Sequence, residues 1–133
     1  MCFDKEVSNY THKVAEEDIV CYKVVNRYPS YSKPRWESFY RHFIYEQGEV
    51  YEEKLSDKLL KILDGQPTLK HLVYHSYSDL HSINAFEFVF VSVVSVVVKC
   101  IIPKGTIYWF NSYKKQYAST AIKVVSEEPI YRD

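Results

Sequence analysis

Glycine is scarce in this 133-residue chain, occurring only three times. Few glycines mean few tight turns at positive φ and no glycine-rich loop to cradle a phosphate. Cysteine is as sparse: Cys2, Cys21 and Cys100 make an odd number, with no Cys-x-x-Cys pair. That usage fits a reduced, intracellular protein rather than a disulfide framework. An excess of charge of either sign is also missing, since 17 Lys and Arg balance 17 Asp and Glu. A duplex-DNA binder normally carries a basic face, so neutrality argues against one. The chain lacks a long apolar run as well. Its longest uncharged stretch, residues 88–98, holds eleven residues. A helix that crosses a bilayer needs about twenty. The first stretch, MCFDKEVSNYTHKVAEED, has no apolar segment of the signal-peptide kind. The expectation is a cytoplasmic protein of one domain, long enough to bury one core, with no membrane partner.

What is present begins with residues 88–102, FVFVSVVSVVVKCII, stopped by Pro103-Lys104-Gly105. β-Branched side chains are stiff at χ1 and suit a pleated surface. A continuous apolar run, unlike an alternating one, suits a strand covered on both faces. Residues 93–102 are therefore expected as a central strand, with Val94, Val96, Val98 and Cys100 deep in the core. Tyrosine occurs 13 times. Its apolar ring and polar tip serve half-buried strands and binding surfaces alike, and sheet packing is the simpler explanation.

Taken in order, residues 1–18 are polar and fit either a loosely ordered lead-in or a short helix near residues 14–18. Residues 19–26, IVCYKVVN, read as a strand, and 28–34, with two prolines and two serines, as a loop. Residues 35–45 fit a helix face or a strand; a strand from about Ser38, turning at Gln47-Gly48, is favoured. Residues 55–63, LSDKLLKIL, place Leu55, Leu59, Leu60, Ile62 and Leu63 at helical spacing, with Ser56 as N-cap and Gly65 as the stop. Further strands are expected over 69–77, 106–110 and 122–126, and a helix from Asp79. The sum is an α+β domain of five or six mostly antiparallel strands with two or three short helices.

Three constellations carry possible chemistry. His71, His75 and His81 come closest to a metal site, but no Cys or Glu accompanies them at ligand spacing, so three ordinary histidines are preferred. Cys21 and Cys100 lie in apolar runs and read as buried small hydrophobes, with nothing local to activate either thiol. Tyr108, Trp109, Phe110, Tyr113, Lys114, Lys115 and Tyr117 interleave rings and cations, as single-strand nucleic-acid surfaces do. A hairpin with its rings in the core and its lysines in water explains the same pattern, and the neutral net charge favours it.

The C-terminal third, VVVKCIIPKGTIYW followed by YASTAIKVVSE, resembles small uncharacterised proteins of gut bacteria and their phages that share an Ile-Pro-Lys-Gly-Thr turn. That resemblance implies a phage or mobile-element origin. The order of elements also resembles the C-terminal sheet of the ADP-ribosyltransferase fold, with CYKVV as its first strand and HLVYHSYSDLHSINAF as its middle strand and helix. It implies a cleft between two halves of a sheet, lined by Tyr22, His75, Tyr77, Gln116, Tyr117 and Ser119. The chain departs from that pattern at Gln116 and Thr120, where a transferase has an acid, and at Lys23, where it has Arg or His. The resulting expectation is a non-catalytic binding or accessory protein with a protein or nucleotide ligand, no metal and no cofactor. A divergent nucleotide-handling enzyme and a self-associating structural protein are the alternatives.

Overall fold

The computed structural model describes residues 11–29, 32–38, 43–65, 73–81, 83 and 95–128. Its strands are β1 (Lys13–Val14), β2 (Ile19–Tyr28), β3 (Arg35–Glu37), β4 (Ile44–Glu46), β5 (Val50–Glu52), β6 (Tyr74–Tyr77), β7 (Ser95–Ile102), β8 (Ile107–Asn111), β9 (Gln116–Ser119) and β10 (Ala121–Glu128). One helix, α1 (Asp57–Gly65), lies between β5 and β6. Among the described residues the molecule is thus a single, mostly antiparallel β domain, 54% strand. This corrects the expected α+β fold: ten described strands replace five or six, and one described helix element replaces two or three. The excess is in strands of two to four residues, such as β1, β3, β4, β5 and β9. So few residues show no period of their own; their pairing is imposed by neighbours in the sheet. The helix expected from Asp79 falls largely outside the described residues.

The apolar run forms the centre as its composition requires. β7 pairs with β2 on one side and β10 on the other, all antiparallel. Val98, Cys100 and Ile102 point into one core with Cys21, Val25, Trp36, Tyr45, Ile122 and Val124, and Val97 and Val24 into another on the opposite face. Both faces are covered, which explains the absence of alternation. Val96 is half-buried against the first core, and Val94 lies outside the described residues.

The first core is wrapped by a ring. β2 pairs β7, β7 pairs β10 and β10 pairs β5; β2 also pairs β3, which pairs β4. The chain then turns from β4 into β5 at Gln47-Gly48, with Gly48 at φ 80°, a conformation suited to glycine. β10 carries an irregularity between Val124 and Ser126. The carbonyls released there are taken up by the turn: Gly48 N–H donates to the Val124 oxygen at 2.9 Å and Gln47 Nε2 to the Val125 oxygen at 2.9 Å. The bulge therefore satisfies its own backbone by docking the turn that closes the ring.

β1, β8, β9 and β6 form the rest of the sheet. Two joints tie it to the ring. One is the single residue pair Tyr22↔Tyr77 between β2 and β6. The other is Thr120, where β9 passes into β10; its N–H donates to the Ile107 oxygen at 3.0 Å, and its own oxygen accepts from Glu53 N–H at 2.7 Å. Helix α1 packs Leu63 and Leu60 on Trp109, Ile107 and Ala118. Ser56 caps it, its hydroxyl accepting from Leu59 N–H at 3.2 Å. Ile62 lies off the apolar stripe, 44% exposed.

Candidate functional site

The six residues singled out from sequence fall on three neighbouring strands. Tyr22 is the cross-strand partner of Tyr77, and Tyr77 of Gln116. Direct partners share a face, and alternate residues along a strand do too. Tyr22, Tyr77, Gln116 and His75 therefore lie on one face, whereas Tyr117 and Ser119 lie on the other. Tyr77 and Gln116 are buried, with Tyr77 packed against Ile83, Val24 and Val97. The Gln116 side-chain oxygen is enclosed, with no hydrogen-bond partner among the described residues. Ser119 is fully buried and its hydroxyl donates to the Ala121 oxygen at 2.9 Å, stitching the corner between β9 and β10. Lys23 spends its ammonium on the His75 carbonyl, fixing β2 to β6.

Tyr117 packs against the edge of the first core and joins a second group of rings. In the β8–β9 hairpin, Phe110 pairs with Tyr117 and Tyr108 with Ser119, while Trp109 pairs with Ala118 on the reverse face. Trp109 and Ala118 are fully buried under α1. Tyr108, Phe110 and Tyr117 are each half-buried. Their rings form a continuous patch, with centroids 4.8 Å apart for Phe110 and Tyr117 and 5.9 Å for Tyr108 and Tyr117. Burial, with Cys21 and Tyr108 close by, pushes the Tyr117 hydroxyl above its ordinary value, so it stays protonated. The turn beyond is fixed by Asn111, whose side-chain oxygen accepts from Tyr113 N–H at 3.0 Å and Lys114 N–H at 3.2 Å. Lys115 closes it at φ 56°. Tyr113 is left 84% exposed at the tip. The alternation of the hairpin thus sends one ring of the aromatic cluster fully into the core and leaves four accessible.

A second constellation escaped sequence reasoning. Asp64 accepts from the Trp109 indole at 2.9 Å, from His12 Nδ1 at 2.9 Å and from the His12 amide at 2.9 Å. Burial alone raises its carboxyl, but these donors outweigh it and hold the group below its ordinary range. An ionised carboxylate only accepts, so His12 Nδ1 carries the proton in this bond. His12 stands edge-on to Trp109 at 6.3 Å. The segment that follows is equally fixed: Ala15 N–H donates to the Thr106 oxygen, and the Asp18 carboxylate accepts from Lys104 N–H at 2.8 Å. A signal was present in α1 itself. An acid in the last helical turn opposes the macrodipole, so it needs donors of its own.

An open groove of about 430 Å³ lies where Glu52, Lys54 and Leu55 face Lys104, Thr106 and Thr120. Its charges are of mixed sign. Among the described residues no group of three His, Cys, Asp or Glu is placed to hold a metal ion; His75 is on β6, His81 is exposed and His71 lies outside them. No described helix is long and apolar enough to cross a membrane. Comparison with protein families, with curated proteins and with solved structures yields no match to this chain.

Proposed function

We propose that the protein binds single-stranded nucleic acid without acting on it, through the aromatic face of the β8–β9 hairpin. One observation carries the reading: Tyr108, Phe110 and Tyr117 make a contiguous, half-buried ring patch on two adjacent strands. Each base has a π face, and stacking on a protein ring is worth about 1–3 kcal/mol per base. Lysines flank the patch at both ends. Lys13 on β1 is the direct partner of Tyr108, and Lys114 and Lys115 occupy the turn beyond Phe110. They supply phosphate contacts that the neutral chain as a whole does not. Asp79 follows Ser78, whose N–H donates to the Lys115 oxygen, so the field at the turn is moderated. With three lysines engaged, log K falls with log salt at a slope of about −2.

The test is fluorescence anisotropy with labelled single-stranded DNA and RNA at low and moderate salt. Phe110→Ala and Tyr117→Ala should each weaken binding by about tenfold or more, and Lys115→Glu should flatten the salt slope. A melting curve of each variant separates lost contact from lost fold. Absence of saturable binding to either nucleic acid at low salt, or Tyr117→Ala binding as wild type does, overturns the reading.

A further inference from the structure

We propose that Cys21 and Cys100 are the site of a reversible disulfide, formed by reduction of a hydroperoxide, that ties β2 to β7. The two residues are direct register partners in the antiparallel ladder. Such partners have Cα atoms about 4.5–5.5 Å apart and side chains on the same face. A disulfide spans Cα separations of about 4.4–6.8 Å, so the backbone need not move. Both residues are fully buried in the same core.

The surroundings separate the two sulfurs. Burial pushes the Cys21 thiol up, but the neighbouring Cys100 and the charge of Lys23 more than offset it. Burial and the neighbouring Cys21 push the Cys100 thiol well above its ordinary value. Cys21 is therefore the attacking thiolate and Cys100 the resolving thiol. Access comes through the weak joint. Tyr22, next to Cys21, makes the one described pairing between β2 and β6, so opening there breaks the fewest ladder bonds.

The chemistry balances in two steps. The Cys21 sulfur attacks the terminal oxygen of the hydroperoxide, the O–O bond breaks, and Cys21 becomes a sulfenic acid as an alcohol or water leaves. The Cys100 sulfur then attacks the Cys21 sulfur; the S–O bond breaks and water departs with the Cys100 proton. Two thiols are oxidised and one hydroperoxide is reduced. A dithiol reductant reverses the bond by exchange.

The experiment uses the full chain carrying Cys2→Ser, so that two thiols remain. Hydrogen peroxide treatment, denaturing alkylation and intact-mass measurement should show loss of two hydrogen atoms and no alkylation, both reversed by dithiothreitol. The oxidised protein should melt about 10–15 °C higher, as a bridge closing so long a loop implies. Cys100→Ser should stop at a sulfenic acid on Cys21 that dimedone traps. Should that variant fail to fold, proteolytic mapping of oxidised Cys2→Ser protein must still recover the peptides of Cys21 and Cys100 joined. Two alkylatable thiols after treatment, linkage between chains, or Cys21 driven to sulfinic acid without a bridge overturns the proposal.

Discussion

Strands β2 and β7 pair from Ile19↔Ile102 to Asn26↔Ser95, whereas among the described residues β2 pairs with β6 at Tyr22↔Tyr77, beside the Lys23 bond to the His75 carbonyl. The first ladder is buried on both faces through its Val, Ile and Cys residues, and β10 covers its far edge. The β8–β9 hairpin has one face like that, where Trp109 and Ala118 meet α1, and one face of half-buried rings. The two regions use the same antiparallel pairing to different ends. Where both faces are buried, any polar substitution leaves an unsatisfied group in the core. Where one face is half open, the sheet underneath can hold its shape while the outer residues serve recognition.

The sharpest way to break this comparison is Ile102→Asp. Ile102 is fully buried in the first core opposite Ile19, and an unpaired carboxylate there costs more than about 4 kcal/mol, enough to unfold the protein. Val50→Asp on the β5 edge, at a residue 53% exposed, should change stability by less than about 0.5 kcal/mol. Paired chemical-denaturation curves check both, and equal losses would erase the distinction.

Asp64→Asn is intermediate. It weakens three charge-assisted hydrogen bonds at a half-buried site, and about 1–2 kcal/mol should be lost near neutral pH. The folded carboxyl is held below its ordinary value, so its contribution is fully present above about pH 4 and lost as pH falls through the folded value. Wild type and Asp64→Asn should therefore converge in stability as pH falls through the folded value, read from urea midpoints across pH. A gap that persists in acid would mean the carboxylate charge is not what holds His12 and Trp109.

Tyr113→Ala is the smallest in stability and tests the open face alone. The ring is 84% exposed, so the melting point should be unchanged, while affinity for single-stranded nucleic acid falls about fivefold. A drop in melting point instead would show that the tip packs on the fold.

The centre of the fold was legible because composition alone marks a strand buried on both faces: residues 88–102 announce β7, and IVCYKVVN announces β2. Ser56 and Gly65 likewise bracket α1 within a residue or two, because capping is local chemistry. The short strands were not legible. Arg35–Glu37 carries buried Trp36 between β2 and β4, yet three residues fit a helix face as well as a strand. Lys13–Val14 is exposed at both positions and has no pattern to read. In the aromatic cluster, sequence showed the rings but not their sides: alternation sends Trp109 one way and Tyr108 and Phe110 the other. The contact between Cys21 and Cys100, and the one between His12 and Asp64, depend on register and on tertiary docking, which no local window contains.

The same register has a consequence for how the protein is made. β2 meets β3 soon after it is made, but only through its last three residues; its main partner, β7, lies most of a domain later, with Ile102 opposite Ile19. At about 5–20 residues per second, a nascent β2 waits on the order of several seconds for β7. Its apolar faces and unpaired edge are available to other chains throughout. The β8–β9 hairpin, closed by one turn, needs no such wait. Pairings so distant in sequence also make refolding of the ring slow compared with hairpin closure. The order of strands along the gene, rather than any weakness of the finished sheet, sets the period in which this protein is most exposed to aggregation.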